Sequence, residues 1–345
     1  PQPSPPRAAV RFSRRPLPTW TFDTAVGAVE RSVALHRVEG AGDDAPYLLV
    51  RWRNRSPHPL RLSVRPLLGW CDADHLVRAS DVDGTIVARG ASWGCRPDAT
   101  LPTLWLTADG VAAFRGEAAW YRGFLQAIDR ARGYDFVGDR WSPGVLELDL
   151  GPASGQGAEV TVAFRLEAPC AAPAAAFDAI EAAAAAEWSA ARAAPERRRA
   201  RLALGADDFL YRADGGRLGV LAGFPWFGEW GRDVFLALPG LTLARGDRAR
   251  CREVLTGALP FLVRGLLPNI YAGSIEDSDY GSCDAALWFA LAVMRLADAP
   301  ADDAQQAALE AELPAERLVP ALVSIADAYI AGTGLGLRAN KDGLL

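Results

Sequence analysis

The sequence predicts an α+β protein of two domains: an antiparallel β-sandwich first, then helices packed in pairs as part of an α/α toroid. Residues 1–170 hold short runs of alternating hydrophobicity, separated by turn-forming clusters and free of helical period. From Ala171 the composition shifts to an alanine-rich run, and beyond it apolar residues recur at helical spacing. Polar residues gather in alternate loops of this second half, as they do when antiparallel helix pairs share one mouth.

In the first half, alternation marks strands at Val29 to Arg37, Tyr47 to Asn54, Leu60 to Val64, Val145 to Leu150 and Val160 to Leu166. Clusters such as Gly40 to Pro46 and Asn54 to Pro59 supply the turns. Trp120 to Gly144 mixes aromatics with charge and has no period, so it reads as a long crossover loop. Either that loop packs its own tryptophans or its tip reaches over the mouth of the second domain.

Residues 171–204 read as a linking helix broken once near Pro195, and 205–345 as the helical domain. Small strands at Phe209 to Tyr211 and Leu218 to Ala222 flank Asp214-Gly215-Gly216, a hairpin turn. A helix from Asp233 to Leu243 carries Val234, Phe235, Leu238 and Leu241 on one side, and Asp247 caps the next, with its stripe of Val254, Leu255, Ala258 and Leu262. Gly265 to Ser282 is a loop. A third helix opens near Asp284 and is expected to bury Leu287, Trp288, Leu291 and Met294. Further helices are expected at Ala301 to Glu312 and at Pro314 to Ala331, the last ended by glycines.

The 345 residues are half hydrophobic, yet no apolar run is long enough to span a bilayer. A net charge of -5 provides no basic surplus for nucleic acid, so neither a nucleic-acid nor a membrane partner is expected. Five scattered cysteines without C-x-x-C spacing read as reduced thiols of a cytoplasmic protein. Three dispersed histidines give no metal-site spacing. The first residues, PQPSPP, and the abrupt end at Leu345 suggest a fragment cut at both ends, and the wealth of arginine and alanine suggests a GC-rich bacterial source.

Chemistry concentrates in two blocks, Gly223 to Leu241 (GFPWFGEWGRDVFLALPGL) and Leu267 to Phe289 (LPNIYAGSIEDSDYGSCDAALWF). A pyranose offers flat C–H faces and a rim of hydroxyls, so its site needs aromatic plates and charged hydrogen-bonding groups. Trp226, Phe227 and Trp230 supply plates, and Arg232 with Asp233 supplies a rim. The two blocks therefore read as walls of one sugar pocket.

At these residues the chain resembles the glycogen debranching enzymes, in particular their amylo-α-1,6-glucosidase module of bacterial and archaeal type. The family pattern G-[YF]-P-W-F-x-x-W-G-R-D, followed by L-P-G-L, is met from Gly223 to Leu241. Its later elements, G-L-[IL]-P-N and Y-N-x-x-D-A-x-x-W-F, are met at Gly265 to Asn269 and at Tyr280, Asp284, Ala285, Trp288 and Phe289. The N-terminal half is similar to that family's first domain at Arg65 to Leu68 with Asp74 and His75, and again at Trp120 to Gly144. The chain departs from the pattern at Gly281, where the family has Asn, and at Glu229.

The resemblance implies a six-hairpin (α/α)6 glycosidase domain, of which about half is present, and an inverting exo-α-1,6-glucosidase acting on glycogen or branched maltodextrin. It implies no metal and no organic cofactor. Asp284 would be the proton donor; Trp226, Trp230, Arg232, Asp233 and Tyr280 would bind the terminal glucose. The base would come from the late part of the barrel, beyond Leu345, which would leave this piece inactive alone. For Asp233 and Asp284 the plainer alternative is helix N-capping, and for the tryptophans core packing. A helix start favours an ionised carboxylate, so an acid at Asp284 needs apolar burial by Tyr280 and Trp288, or repulsion from Glu276, Asp277 or Asp279, to raise it. One member of that acidic trio as the acid is a minor alternative. Other outcomes are a glucoamylase-like or trehalase-like specificity, or a non-catalytic glucan-binding fragment.

Overall fold

The structure is a computed structural model describing residues 9–36, 46–71, 75–79, 84–96, 101–110, 112–224, 227–299 and 315–344. The chain divides into two compact units, Pro1–Ala190 and Ala191–Leu345, each with its own hydrophobic core.

Among the described residues, eleven strands build the first unit: β1 (Ala9–Ser13), β2 (Thr19–Thr24), β3 (Gly27–His36), β4 (Tyr47–Asn54), β5 (Leu60–Val64), β6 (Thr85–Arg89), β7 (Ser92–Arg96), β8 (Leu104–Asp109), β9 (Ala112–Leu125), β10 (Val137–Leu150) and β11 (Glu159–Leu166). They form an eight-stranded sheet ordered β1-β2-β3-β4-β11-β8-β7-β6 and a three-stranded sheet ordered β5-β10-β9. Their pairings are antiparallel. Side chains alternate across a strand, which sorts β4 and β11 into two faces. Val50, Trp52, Val160 and Val162 meet Trp141, Leu146, Leu148 and Leu150 of β10 in a core shared by both sheets. The expected antiparallel sandwich is thus present.

The other face of the large sheet is covered by α2 (Pro173–Ala193). Fully buried Phe177 packs with Tyr47, Leu49 and Ala163. Arg51, on the same face as Leu49, stacks its guanidinium 4.2 Å from the Phe177 ring centroid. It donates to Asp178 at 2.6 Å, to the Ala174 carbonyl at 3.0 Å and to Thr161 at 2.8 Å. The first half of the alanine-rich run is therefore a packed layer, and the helix breaks at residues 194–196 before α3 (Arg197–Ala206).

Trp120 to Gly144 is not a crossover loop. It is most of a long β9–β10 hairpin whose tip is the short α1 (Ala127–Arg132), closed by left-handed Gly133. β9 lies at the sheet edge and is exposed through most of its length, so neither face imposes an apolar alternation. Register shifts at Gly138/Arg140 and Ser142/Gly144 break what period remains. At Gly144 the backbone takes φ 153°, and a Cβ there would lie 2.2 Å from the Arg115 carbonyl oxygen.

In the second unit, β12 (Leu210–Arg212) and β13 (Leu218–Val220) form a small hairpin, followed by α4 (Gly231–Leu241), α5 (Arg248–Ala258), α6 (Ala285–Asp298) and α7 (Ala315–Ala331). Asp247 caps α5, accepting from the Arg250 amide at 3.1 Å. α6 packs against α4, α5 and α7. Their core includes Val234, Phe235, Leu238, Val254, Leu255, Phe289, Leu318 and Ile325, with Phe235 and Phe289 edge-to-face at 5.2 Å.

The buried side of α6 differs from expectation. Ala285, Ala286, Phe289, Ala292, Val293 and Leu296 face the core, whereas Leu287, Leu291 and Met294 are exposed and Trp288 is half-buried. Alanines admit the close approach of α4, so the bulky residues that dominate the pattern lie on the other side. The helix expected at 301–312 lies outside the described residues, and a closed ring of helices is not among them. No helix among the described residues is long and apolar enough to cross a membrane.

Candidate active site

The first block ends by turning into α4. Trp230 takes extended backbone angles as the N-cap residue, so Gly231, Arg232 and Asp233 form the first helical turn. Gly231 is buried where two segments touch. Its amide donates to the Asn269 carbonyl at 2.9 Å, and a Cβ would lie 2.0 Å from the Pro268 oxygen. Only glycine allows this approach.

The second block is held to the first by main-chain bridges. Trp230 pairs with Ile270 and Ile270 with Asp279, and the Tyr271 amide donates to the Glu229 carbonyl at 3.0 Å. Asn269 adds a side-chain donation to Asp279 at 3.1 Å. These links carry the loop around to the start of α6.

Asp284 stands at the N-cap of α6 by backbone position, but its carboxylate caps nothing. Ser282 takes that task, its hydroxyl accepting from the Ala285 amide at 3.2 Å while donating to Asp284 Oδ1 at 2.9 Å. The carboxylate is thereby turned toward α4. Its Oδ2 receives Arg232 Nε at 2.9 Å and the Trp288 indole N–H, one helical turn on, at 3.3 Å. Tyr329 of α7 fixes the preceding residue by donating to the Cys283 carbonyl at 2.7 Å.

These contacts decide the ionisation of Asp284. Partial burial pushes its carboxyl up, but donation from Ser282, the Arg232 guanidinium and Trp288 outweighs it and holds the group below the usual aspartate range. The raised acid expected from Tyr280, Trp288 and the acidic loop is therefore not found. Trp288 contributes an N–H donor as well as apolar cover, and Arg232 supplies the opposing charge.

The other expected residues divide by placement. Asp233 is exposed in the first turn of α4, with no side-chain partner among the described residues. Trp230 is half-buried and stands edge-on to Phe227 at 6.0 Å, and Phe227 is 54% exposed. Trp226 lies outside the described residues. The Tyr280 hydroxyl donates to the Phe261 carbonyl at 2.9 Å and is held above its ordinary range by burial. Glu276, Asp277 and Asp279 are exposed; Asp277 accepts from Ser274, and Asp279 accepts from Asn269 and the Gly281 amide.

Sequence reasoning missed Glu229 as a buried charge. It is 3% exposed, accepts from both terminal nitrogens of Arg217 at 2.9 and 2.5 Å, and accepts from the Tyr211 hydroxyl at 2.8 Å. Arg217 in turn lies over the rings of Phe261 and Tyr271, 5.2 and 5.1 Å from their centroids. The only available signal was a lone carboxylate inside an aromatic run. No cluster of potential metal ligands occurs among the described residues.

Comparison with known families accords with both halves. Residues 7–156 match the profile described as glycogen debranching enzyme N terminal, and residues 204–345 match amylo-alpha-1,6-glucosidase. The chain belongs to the glycogen debranching enzyme family. Among solved structures, a bacterial glucoamylase in complex with acarbose aligns over 94% of this chain, at 11% identity and a TM-score of 0.37. The chain spans 50% of that glucoamylase's length. A search by sequence among curated proteins finds no match.

Proposed function

We propose that this chain carries the glucose-binding and proton-donating part of an inverting exo-α-1,6-glucosidase, which removes the single-glucose stub from a trimmed glycogen or limit-dextrin branch. One observation carries the proposal: the ion pair between Arg232 and Asp284 at 2.9 Å joins the two blocks, both within the stretch that matches amylo-alpha-1,6-glucosidase. A rim cation and a carboxylate from separate motifs thus meet beside Trp288 and in line with the turn that bears Asp233 and Trp230.

In this mechanism Trp226 and Trp230 flank the terminal glucose, with Tyr280 at the pocket wall, and Arg232 and Asp233 take its hydroxyls. Asp284 gives its proton to the glycosidic oxygen as the bond to the anomeric carbon breaks, and the maltodextrin leaves as an alcohol. Water attacks that carbon from the opposite face and passes its proton to a second carboxylate, about 6.5 to 9.5 Å from the first in inverting enzymes. The protonated state of Asp284 is reached when sugar hydroxyls take the donors of Arg232 and release the carboxyl from its counter-charge. Five free cysteines support a cytoplasmic setting.

The test is glucose release from a singly branched maltodextrin by the full-length protein. Asp284→Asn is expected to lower kcat by about 10² to 10⁴-fold, the range of general-acid catalysis, with KM little changed. Equal turnover by the variant would sink the assignment. Hydrolysis of linear α-1,4 chains as fast as of the stub would move the specificity to the glucoamylase-like alternative.

A further inference from the structure

We infer that Glu229 is a positioning residue for the Arg232–Asp284 pair, and this rests on the active-site reading above. The segment from Phe227 to Trp230 has no helix or strand of its own, and Phe227 and Gly228 are exposed. Glu229 is the side chain that turns inward, and three donors from the β12–β13 hairpin grip both of its carboxylate oxygens. Its surroundings are built to fit. A Cβ on Gly219 would lie 2.9 Å from Glu229 Oε2 and 2.6 Å from the Tyr211 ring, so the hairpin backbone closes directly over the carboxylate.

From this anchor the chain runs without slack to the reacting groups. The Glu229 carbonyl receives the Tyr271 amide, Trp230 bridges Ile270, and Gly231 donates to Asn269. Arg232 follows at once and meets Asp284. A displacement of Glu229 is passed through these bonds to the direction in which Arg232 points.

A buried ion pair is weak ground for stability, since an apolar set of similar volume often does as well. What the fork geometry of Arg217 fixes is direction. Packing and positioning can therefore be separated with the triple variant Tyr211→Phe/Arg217→Met/Glu229→Met, which removes the whole polar set and leaves no orphaned partner. The measurements are the thermal midpoint and the titration of the Asp284 carboxyl by ¹³C NMR, assigned through Asp284→Asn. With a thermal midpoint near the parent's, the Asp284 midpoint is expected to move up, because a misaligned Arg232 no longer holds the carboxylate ionised. The kcat on the branched substrate is expected to fall by about 10²-fold, the scale of a misplacement near 1 Å.

Glu229→Gln, which keeps volume and main-chain bonds, is the companion should the triple variant not fold. An Asp284 titration identical to the parent's in whichever variant is folded overturns the positioning role. That readout needs no substrate. Absence of α-1,6 activity in the parent protein would count against the enzymatic reading alone.

Discussion

At the scale of single residues, the site turns on which partner Arg232 keeps. In the structure it holds Asp284, whose depressed carboxyl stays charged to lower pH than an ordinary aspartate. The sign for folding follows: this group adds stability above its unfolded pKa of about 3.9, and the contribution is lost as pH falls through the lower folded value. For the proposed role as proton donor the same shift is unfavourable, because a donor must hold a proton. Arg232→Gln is therefore expected to raise the Asp284 midpoint in a ¹³C titration while weakening glucose binding, measured by calorimetry, by about 10-fold or more for a lost charge-assisted hydrogen bond. A midpoint that stays put would separate the two groups electrostatically. Asp284 was legible in the sequence because a motif surrounds it. Its partner was not, since Arg232 lies far off along the chain and was read as facing sugar alone. Glu229 was hidden because its counter-ion comes from a hairpin outside either motif.

At the scale of elements, the approach at Gly231 is the tightest join between the two blocks. Gly231→Ala pushes a methyl group into the Pro268 carbonyl and against Ala285. The expected cost is about 1 to 3 kcal/mol for overpacking, read as a lowered denaturation midpoint, with loss of the Arg232–Asp284 contact. In the other unit, Phe177→Ala empties a fully buried site between α2 and the sheet, expected to cost about 3 to 5 kcal/mol by the same measurement. A strand with one wet face, such as β5, was readable from alternation. The β9–β10 hairpin was readable only at Val145 to Leu150, because β9 is exposed through most of its length and register shifts break the period of the rest. α6 misled for the opposite reason: alanines made the inner face, and bulk on the outer face drew the eye.

At the scale of the whole molecule, separate cores predict separate melting. Differential scanning calorimetry is expected to resolve two transitions, one for Pro1–Ala190 and one for Ala191–Leu345. Phe177→Ala should move only the first and Gly231→Ala only the second. A single transition shifted by both substitutions would contradict this. The order of the two architectures, sheets then helices, could be read directly because composition changes abruptly at their junction. The packing of the first helix on the sheet could not, since it depends on one aromatic and one arginine brought together by folding.

That docking bears on how the protein can be taken apart in the laboratory. A recombinant N-terminal piece stopped at the change of composition near Ala171 would strip Tyr47, Leu49 and Ala163 of their lid and leave Arg51 without its acceptors on the helix. Such a truncation invites aggregation through the bared face of the sheet. Carrying the clone through Ala193 keeps that covering intact.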